Sequence, residues 1–134
     1  MKKSVHVSGS RKRSVARATL KEGSGLVKIN NIAIDDYEPA LARMRIREPL
    51  IIADTAITSK VDISVRVNGG GFMSQADAAR LSIARGLVAF TKSDALKSLF
   101  LKYDRHLIVA DVRRKEMRKP NDSKARAKRQ KSYR

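Results

Sequence analysis

A chain of 134 residues with 42% hydrophobic residues is long enough for one folded domain and too apolar to be wholly disordered. Thirty Lys and Arg residues against thirteen Asp and Glu residues give a net charge of +17, which favours a polyanionic partner because so much like charge repels itself. The absence of Cys excludes disulfides, thiolate nucleophiles and Cys-ligated metal sites. Apolar runs end after about four residues, so no secretory signal or membrane span is predicted and the cytoplasm is the simplest location.

The positive charge is concentrated at the two ends of the chain. Residues 1–21 carry seven cations and no acid, and residues 113–134 carry eleven cations against two acids. Residues 22–112 are nearly neutral, with twelve cations and eleven acids. We therefore predict a globular body over residues 1–112 and an extended basic tail over residues 113–134, whose few apolar residues cannot offset the entropy lost on ordering.

The first half of the chain reads as strands followed by short helices. Val5 and Val7 predict a strand, and apolar residues on both sides of Glu22–Gly25 predict an antiparallel hairpin at that break. Pro39 and Pro49 each stand where a short helix is expected to begin.

The second half gives stronger signals. Apolar residues alternate with polar ones over residues 61–67, which is typical of a half-buried strand. Ser74 is the predicted N-cap of an amphipathic helix in which Arg80 and Arg85 lie off the apolar face and Gly86 marks a close packing contact. A second helix starts at Ser93, and its expected buried residues are Leu96, Leu99, Phe100 and Tyr103. The order of elements predicts an α+β fold, a two-layer sandwich of a mostly antiparallel sheet with helices on one face.

The glycine run before the first long helix is the main candidate for small-molecule chemistry. Gly69, Gly70 and Gly71 would let a phosphate approach the backbone, but neither a P-loop nor a dinucleotide-binding spacing is present. His6 and His106 have no neighbouring residues in a catalytic or metal-binding pattern. We therefore expect no catalytic residue, metal, cofactor or small-molecule substrate. A tight turn that requires positive φ is the favoured interpretation of the glycines, and a backbone contact to an RNA phosphate is the alternative.

The basic ends are the strongest functional signal. Cations along an extended segment each meet a phosphate, and Tyr133 adds a stacking surface for an unpaired base. Two other functions stay open on these residues alone. One is a free nucleic-acid-compacting protein of chromatin type, and the other is a small nucleotide-dependent enzyme using the glycine run.

Several segments resemble one protein family, the ninth protein of the small ribosomal subunit in its archaeal and eukaryotic form. They are spread over nearly the whole chain in the order found in the family. The matching segments are residues 9–17 (GSRKRSVAR), 25–30 (GLVKIN), 61–71, 103–105 (YDR), 109–114 and 125–134 (ARAKRQKSYR).

The resemblance implies a body folded like the second domain of the fifth small-subunit protein, placed in the head of the small subunit among neighbouring ribosomal proteins. It also implies binding to small-subunit rRNA and a tail that reaches the tRNA in the peptidyl site during translation. The expected rRNA-binding residues are Arg11, Lys12, Arg13, Arg17, Arg113, Arg114, Lys115, Arg118, Lys119, Lys124, Arg126, Lys128 and Arg129. The expected tRNA-proximal residues are Lys131, Tyr133 and Arg134.

Overall fold

The computed structural model describes residues 4–134 of the chain. Lys2 and Lys3, two of the predicted N-terminal cations, lie outside the described residues. The strands are β1 (Ser4–Arg11), β2 (Ser14–Glu22), β3 (Val27–Ile29), β4 (Ile32–Ala33) and β5 (Val61–Asn68). The helices are α1 (Ala40–Ile52), α2 (Thr55–Thr58), α3 (Phe72–Thr91) and α4 (Asp94–Tyr103), with single 3-10 turns at Ile34–Asp36 and Arg105–Leu107.

The five strands form one sheet in the order β1-β2-β5-β3-β4, in which only the β3–β5 pair is parallel. Because β5 lies between β2 and β3, the hairpin predicted around Glu22–Gly25 is wrong. The tight hairpin instead joins β1 to β2, where Arg11 pairs with Ser14 and Lys12 takes a φ of +53°.

Strand β5 occupies the centre because it pairs along both of its edges. Its odd-numbered residues from Val61 to Val67 are all buried on one face, as the alternation predicted. The carboxylate of Asp62 accepts hydrogen bonds from the backbone N–H groups of Ser24 and Leu26, each at 2.9 Å. These bonds tie the segment after β2 to the start of β5, so the chain cannot fold straight back on β2.

Helix α3 covers one face of the sheet and packs against β1, β2 and β5. The predicted close contact at Gly86 is confirmed, since a Cβ there would overlap the side chain of Leu20. Gly9 is also tight, with a Cβ position 2.8 Å from the carbonyl oxygen of Ala78. The predicted α+β class, with a mostly antiparallel sheet and helices on one face, is confirmed. No helix within residues 4–134 is long and apolar enough to cross a membrane.

The start of α3 differs from the prediction. Its N-cap is Gly71, and Ser74 lies inside the first turn, so the predicted capping box is wrong. Gly69 and Gly70 take φ values of +78° and +66°, which turn the chain sharply after β5 and let the helix begin at Phe72.

The proline and α4 predictions are partly confirmed. Pro39 is the N-cap of α1, but Pro49 lies within the same helix, where it is buried and its carbonyl accepts from the N–H of Ala53. Helix α4 begins at Ser93-Asp94 and buries Leu96 and Phe100, as predicted, and the Ser93 hydroxyl accepts from the backbone N–H of Leu96 as its N-cap. The predicted burial of two further residues is wrong, since Leu99 and Tyr103 are 54% and 61% exposed on an adjacent face of the helix.

Candidate nucleic-acid interface

The β1–β2 turn and the glycine run before α3 lie against each other at one end of the sheet. The hydroxyl of Ser14 donates to the carbonyl of Gly69 at 2.8 Å. A Cβ on Gly69 would lie 2.5 Å from the carbonyl oxygen of Arg13, and one on Gly70 would overlap Ser14. These two glycines therefore serve the packing of the turn. The phosphate approach predicted at Gly69–Gly71 stays a prediction, and Gly71 is the position with open space around it.

The cations of the turn have two different environments. Lys12 and Arg13 are exposed at its tip and are free to meet an anion. The side chain of Arg11 is only 18% exposed, and it lies 3.4 Å from the carboxylate of Asp111 while donating to the carbonyl of Arg113 at 3.3 Å. Arg11 therefore holds the start of the predicted tail against the body.

Asp111 is the centre of this junction. Arg113 donates to its carboxylate from both the guanidinium, at 2.7 Å, and the backbone N–H, at 3.1 Å. The hydrogen bonds from Arg113 hold the pKa of Asp111 well below its usual range. Since the carboxylate stays ionised, it neutralises part of the charge of Arg11 and Arg113, and we expect these two cations to fix the direction of the tail.

Residues 113–134 contain no helix or strand, and the cations beyond the junction are exposed. Fully extended, residues ten apart would be separated by about 33–36 Å. The guanidinium of Arg126 nevertheless lies 3.0 Å from the carboxylate of Glu116, so the chain turns back between them. Asn121 and Ser123 take positive φ values within that turn. Tyr133 is 88% exposed near the end. The boundary predicted at residues 112 and 113 stays a prediction.

The two histidines make separate contacts in the body. His6 Nδ1 is 3.0 Å from the hydroxyl of Thr19, and His106 Nδ1 is 3.4 Å from the carbonyl of Val109. Within residues 4–134 no three His, Cys, Asp or Glu side chains are grouped so that they could hold a metal ion.

Comparison with known proteins assigns the chain to a family. The family described as ribosomal protein S9/S16 matches residues 9–134. The chain belongs to this family. A protein named "Small ribosomal subunit protein uS9" from Methanothrix thermoacetophila is 52% identical over 132 residues, which cover 98% of this chain and 99% of the relative. The resemblance seen in the sequence is confirmed, and membership of a ribosomal-protein family supports a structural role.

In this ribosomal protein, sequence reasoning missed a buried ion-pair cluster. Arg80 was expected off the apolar face of α3, but its side chain is 4% exposed. It lies 2.6 Å from the carboxylate of Glu48 on α1 and 2.9 Å from that of Asp104 after α4. Arg45 pairs with Glu48 and with Asp77, at 3.2 and 3.1 Å. The cluster joins three helices of the body, so Arg80 has a structural role.

Sequence reasoning also missed the setting of Arg17. This residue lies on the exposed face of β2, directly opposite Arg66 of β5, and not in the turn with Lys12 and Arg13. The alternation that predicted β5 places Arg66 on the outward side of the strand, so the exposure of Arg66 could be predicted from the sequence. Only the pairing of β2 with β5, which the sequence analysis did not predict, places the two arginines opposite each other.

Proposed function

We propose that this ribosomal protein is a structural component of the small subunit that binds rRNA in the subunit head through the β1–β2 turn and the tail. One observation carries the proposal. Ten cations between residues 114 and 134 are exposed outside the folded elements, with only two acids among them. The name of the relative from Methanothrix thermoacetophila supports the assignment to the small subunit.

Binding through these residues is electrostatic. Each Lys or Arg that meets a phosphate releases counterions from the RNA, and Arg also holds a phosphate through two parallel hydrogen bonds. Lys12 and Arg13 lie at one end of the sheet and provide a fixed point of contact on the body. Such contacts position a protein on RNA but report little of the base sequence, so the shape of the folded rRNA supplies the specificity.

The end of the chain is proposed to reach the tRNA in the peptidyl site. Lys131, Tyr133 and Arg134 are exposed and have no hydrogen bond or ion pair within residues 4–134. Two cations beside an aromatic ring suit a phosphate next to a stacked, unpaired base. The other proposed partners are neighbouring ribosomal proteins of the head, and the site of action is the cytoplasmic ribosome.

The two other functions left open by the sequence have less support. The chain matches a ribosomal-protein family over residues 9–134, and this match is not expected of a chromatin-type protein. A nucleotide-binding enzyme would use the glycine run, but Gly69 and Gly70 are packed against the β1–β2 turn.

Deleting residues 131–134 is expected to leave subunit assembly intact and to weaken tRNA binding in the peptidyl site by about tenfold, because a stacking contact and two phosphate contacts are lost. The measurement is filter binding of tRNA to purified, mRNA-programmed small subunits. A control chain that ends in Gly-Ser-Gly-Ser keeps the length and should behave like the deletion, whereas Tyr133→Phe keeps the ring and should behave like the wild type. Unchanged tRNA affinity in the deletion variant would show that the tail end has no such role.

A further inference from the structure

The face of the sheet opposite α3 is polar and basic. Side chains that alternate with the buried residues of β1, β2, β5 and β3 point outward and line an open concavity. Their charged members are Arg17, Lys21, Lys28, Arg66 and the acid Asp62, and a second acid, Glu22, lines the concavity at the end of β2. We call this set of side chains the open sheet face.

The centre of the open sheet face holds an uncompensated pair of like charges. Arg17 and Arg66 are directly opposite each other in the β2–β5 register. Residues in such positions have Cβ atoms about 4.5–5.5 Å apart, and like charges there are destabilising. Neither guanidinium forms an ion pair or side-chain hydrogen bond within the part of the chain that the structure describes. An anion bound between them removes the repulsion.

Neither acid of this concavity supplies that anion. Glu22 lies opposite Val61, five residues along β2 from Arg17. Asp62 lies opposite Lys21, four residues, or about 13 Å of strand, from the arginine pair. Its carboxylate is held by the backbone N–H groups of Leu26 and Ser24, and these hydrogen bonds lower the pKa of Asp62. The Asp62 carboxylate is therefore held at the turn between β2 and β3 and does not neutralise the arginine pair.

Hydrogen-bonding groups form a row beside the arginine pair. His6, Thr19 and Ser64 are consecutive across β1, β2 and β5, and the His6 ring nitrogen lies 3.0 Å from the Thr19 hydroxyl. These groups suit phosphate oxygens and ribose 2′-hydroxyls. No Phe or Tyr stands at an outward position of these strands, so the face has no platform on which an unpaired base stacks.

We propose that the open sheet face binds the phosphodiester backbone of an RNA double helix, with phosphate oxygens between Arg17 and Arg66. That this RNA is the rRNA of the small subunit rests on the proposed function. The inference adds a second RNA-binding surface to the β1–β2 turn and the tail. The two surfaces are continuous, since Arg17 is four residues, or about 13 Å of strand, from Arg13 in the β1–β2 turn. One RNA helix can therefore contact both.

The test uses the full chain and an RNA duplex of mixed sequence without overhangs. Arg17→Gln/Arg66→Gln is expected to weaken duplex binding about tenfold and to reduce the log–log salt dependence of the binding constant by about 2, because two phosphate contacts are lost. Arg17→Lys/Arg66→Lys keeps the charges and should restore the salt dependence. Lys97→Gln/Lys102→Gln on α4 removes the same net charge from the helical layer and should change the affinity less than about twofold. Because a like-charge pair is removed, Arg17→Gln/Arg66→Gln should unfold at the same or a higher urea concentration than the wild type.

Duplex affinity and salt dependence that stay at wild-type values in Arg17→Gln/Arg66→Gln overturn the inference. A chain ending at Arg114, measured on the same duplex, keeps the open sheet face and separates the two proposals. If that chain loses binding while the arginine variant does not, the tail interface stands and this inference is wrong. If the arginine variant keeps duplex binding but no longer enters the small subunit, the face binds an acidic protein, which also overturns the inference.

Discussion

Ending the chain at Arg114 is expected to weaken binding to small-subunit rRNA by about a hundredfold or more at physiological salt. The truncation removes nine Lys and Arg residues but keeps Arg11, Asp111 and Arg113, so the junction of body and tail stays intact. If all nine cations meet phosphates, the log–log salt dependence of the binding constant falls by about 6 to 8. If only half of them do, it falls by about 3 to 4. Fluorescence titration of the labelled head domain of the rRNA at several salt concentrations measures both quantities.

A full-length chain with Gln at the same nine positions separates charge from length. It should lose as much affinity as the truncated chain, because the tail acts through its charges and not through apolar contacts. A truncated chain whose salt dependence stays within about 1 of the wild-type value would mean that the tail is not the main rRNA contact.

Arg80→Met is expected to lower the free energy of unfolding by about 2 kcal/mol, because two half-buried carboxylates, 23% and 29% exposed, lose their counter-charge. Glu48 and Asp104 would then face each other with Arg45 as the remaining cation, paired to Glu48. Urea unfolding followed by circular dichroism gives the value. Arg126→Met removes a cation from an exposed pair of similar length, 3.0 Å, and should change stability by less than about 0.5 kcal/mol. Equal effects of the two substitutions would contradict a structural role for the Arg80 cluster.

The cost of Arg80→Met should also depend on pH. Burial raises the pKa of Asp104, but hydrogen bonds from the His106 backbone and from Arg80 outweigh it and lower the pKa below its ordinary value. A lowered pKa contributes stability above the unfolded value, about 4, and this contribution is lost as the pH falls through the folded value. The difference between the variant and the wild type is therefore expected to shrink below about pH 4, where protonated carboxyls need no counter-charge. A difference that grows on acidification would show that Asp104 is not stabilised as a carboxylate by Arg80.

The elements with one strong local signal were predictable from the sequence. The alternation over residues 61–67 reflects the burial of one face of β5 against α3, while the other face is exposed. The N-cap at Ser93 depends on one hydroxyl and a near neighbour in the chain, so it too could be found locally. The charge of the two ends needs no structure to be seen.

The errors arose where partners distant in the chain decide the outcome. The hairpin expected at Glu22–Gly25 is replaced by pairing with β5 because hydrogen bonds to Asp62 hold that segment, and nothing local to the turn shows this. Arg80 was placed on the solvent side because its helical position is next to the apolar face. Its burial depends on carboxylates from α1 and from the turn after α4, 32 and 24 residues away in sequence. Arg17 was predicted as an RNA-binding residue, but its position opposite Arg66 could not be predicted without the strand order.

The most direct test of a structural role in the small subunit is sucrose-gradient sedimentation of a cell extract, following this protein at low and then at high salt. Integral subunit proteins are held by shape and packing as well as by charge, whereas loose contacts to a polyanion dissociate as salt rises. The protein is expected to sediment with the small subunit and to stay there after the high-salt wash. Release at high salt, or sedimentation with DNA, would contradict membership of the subunit and would reduce the basic turn and tail to a general polyanion-binding surface.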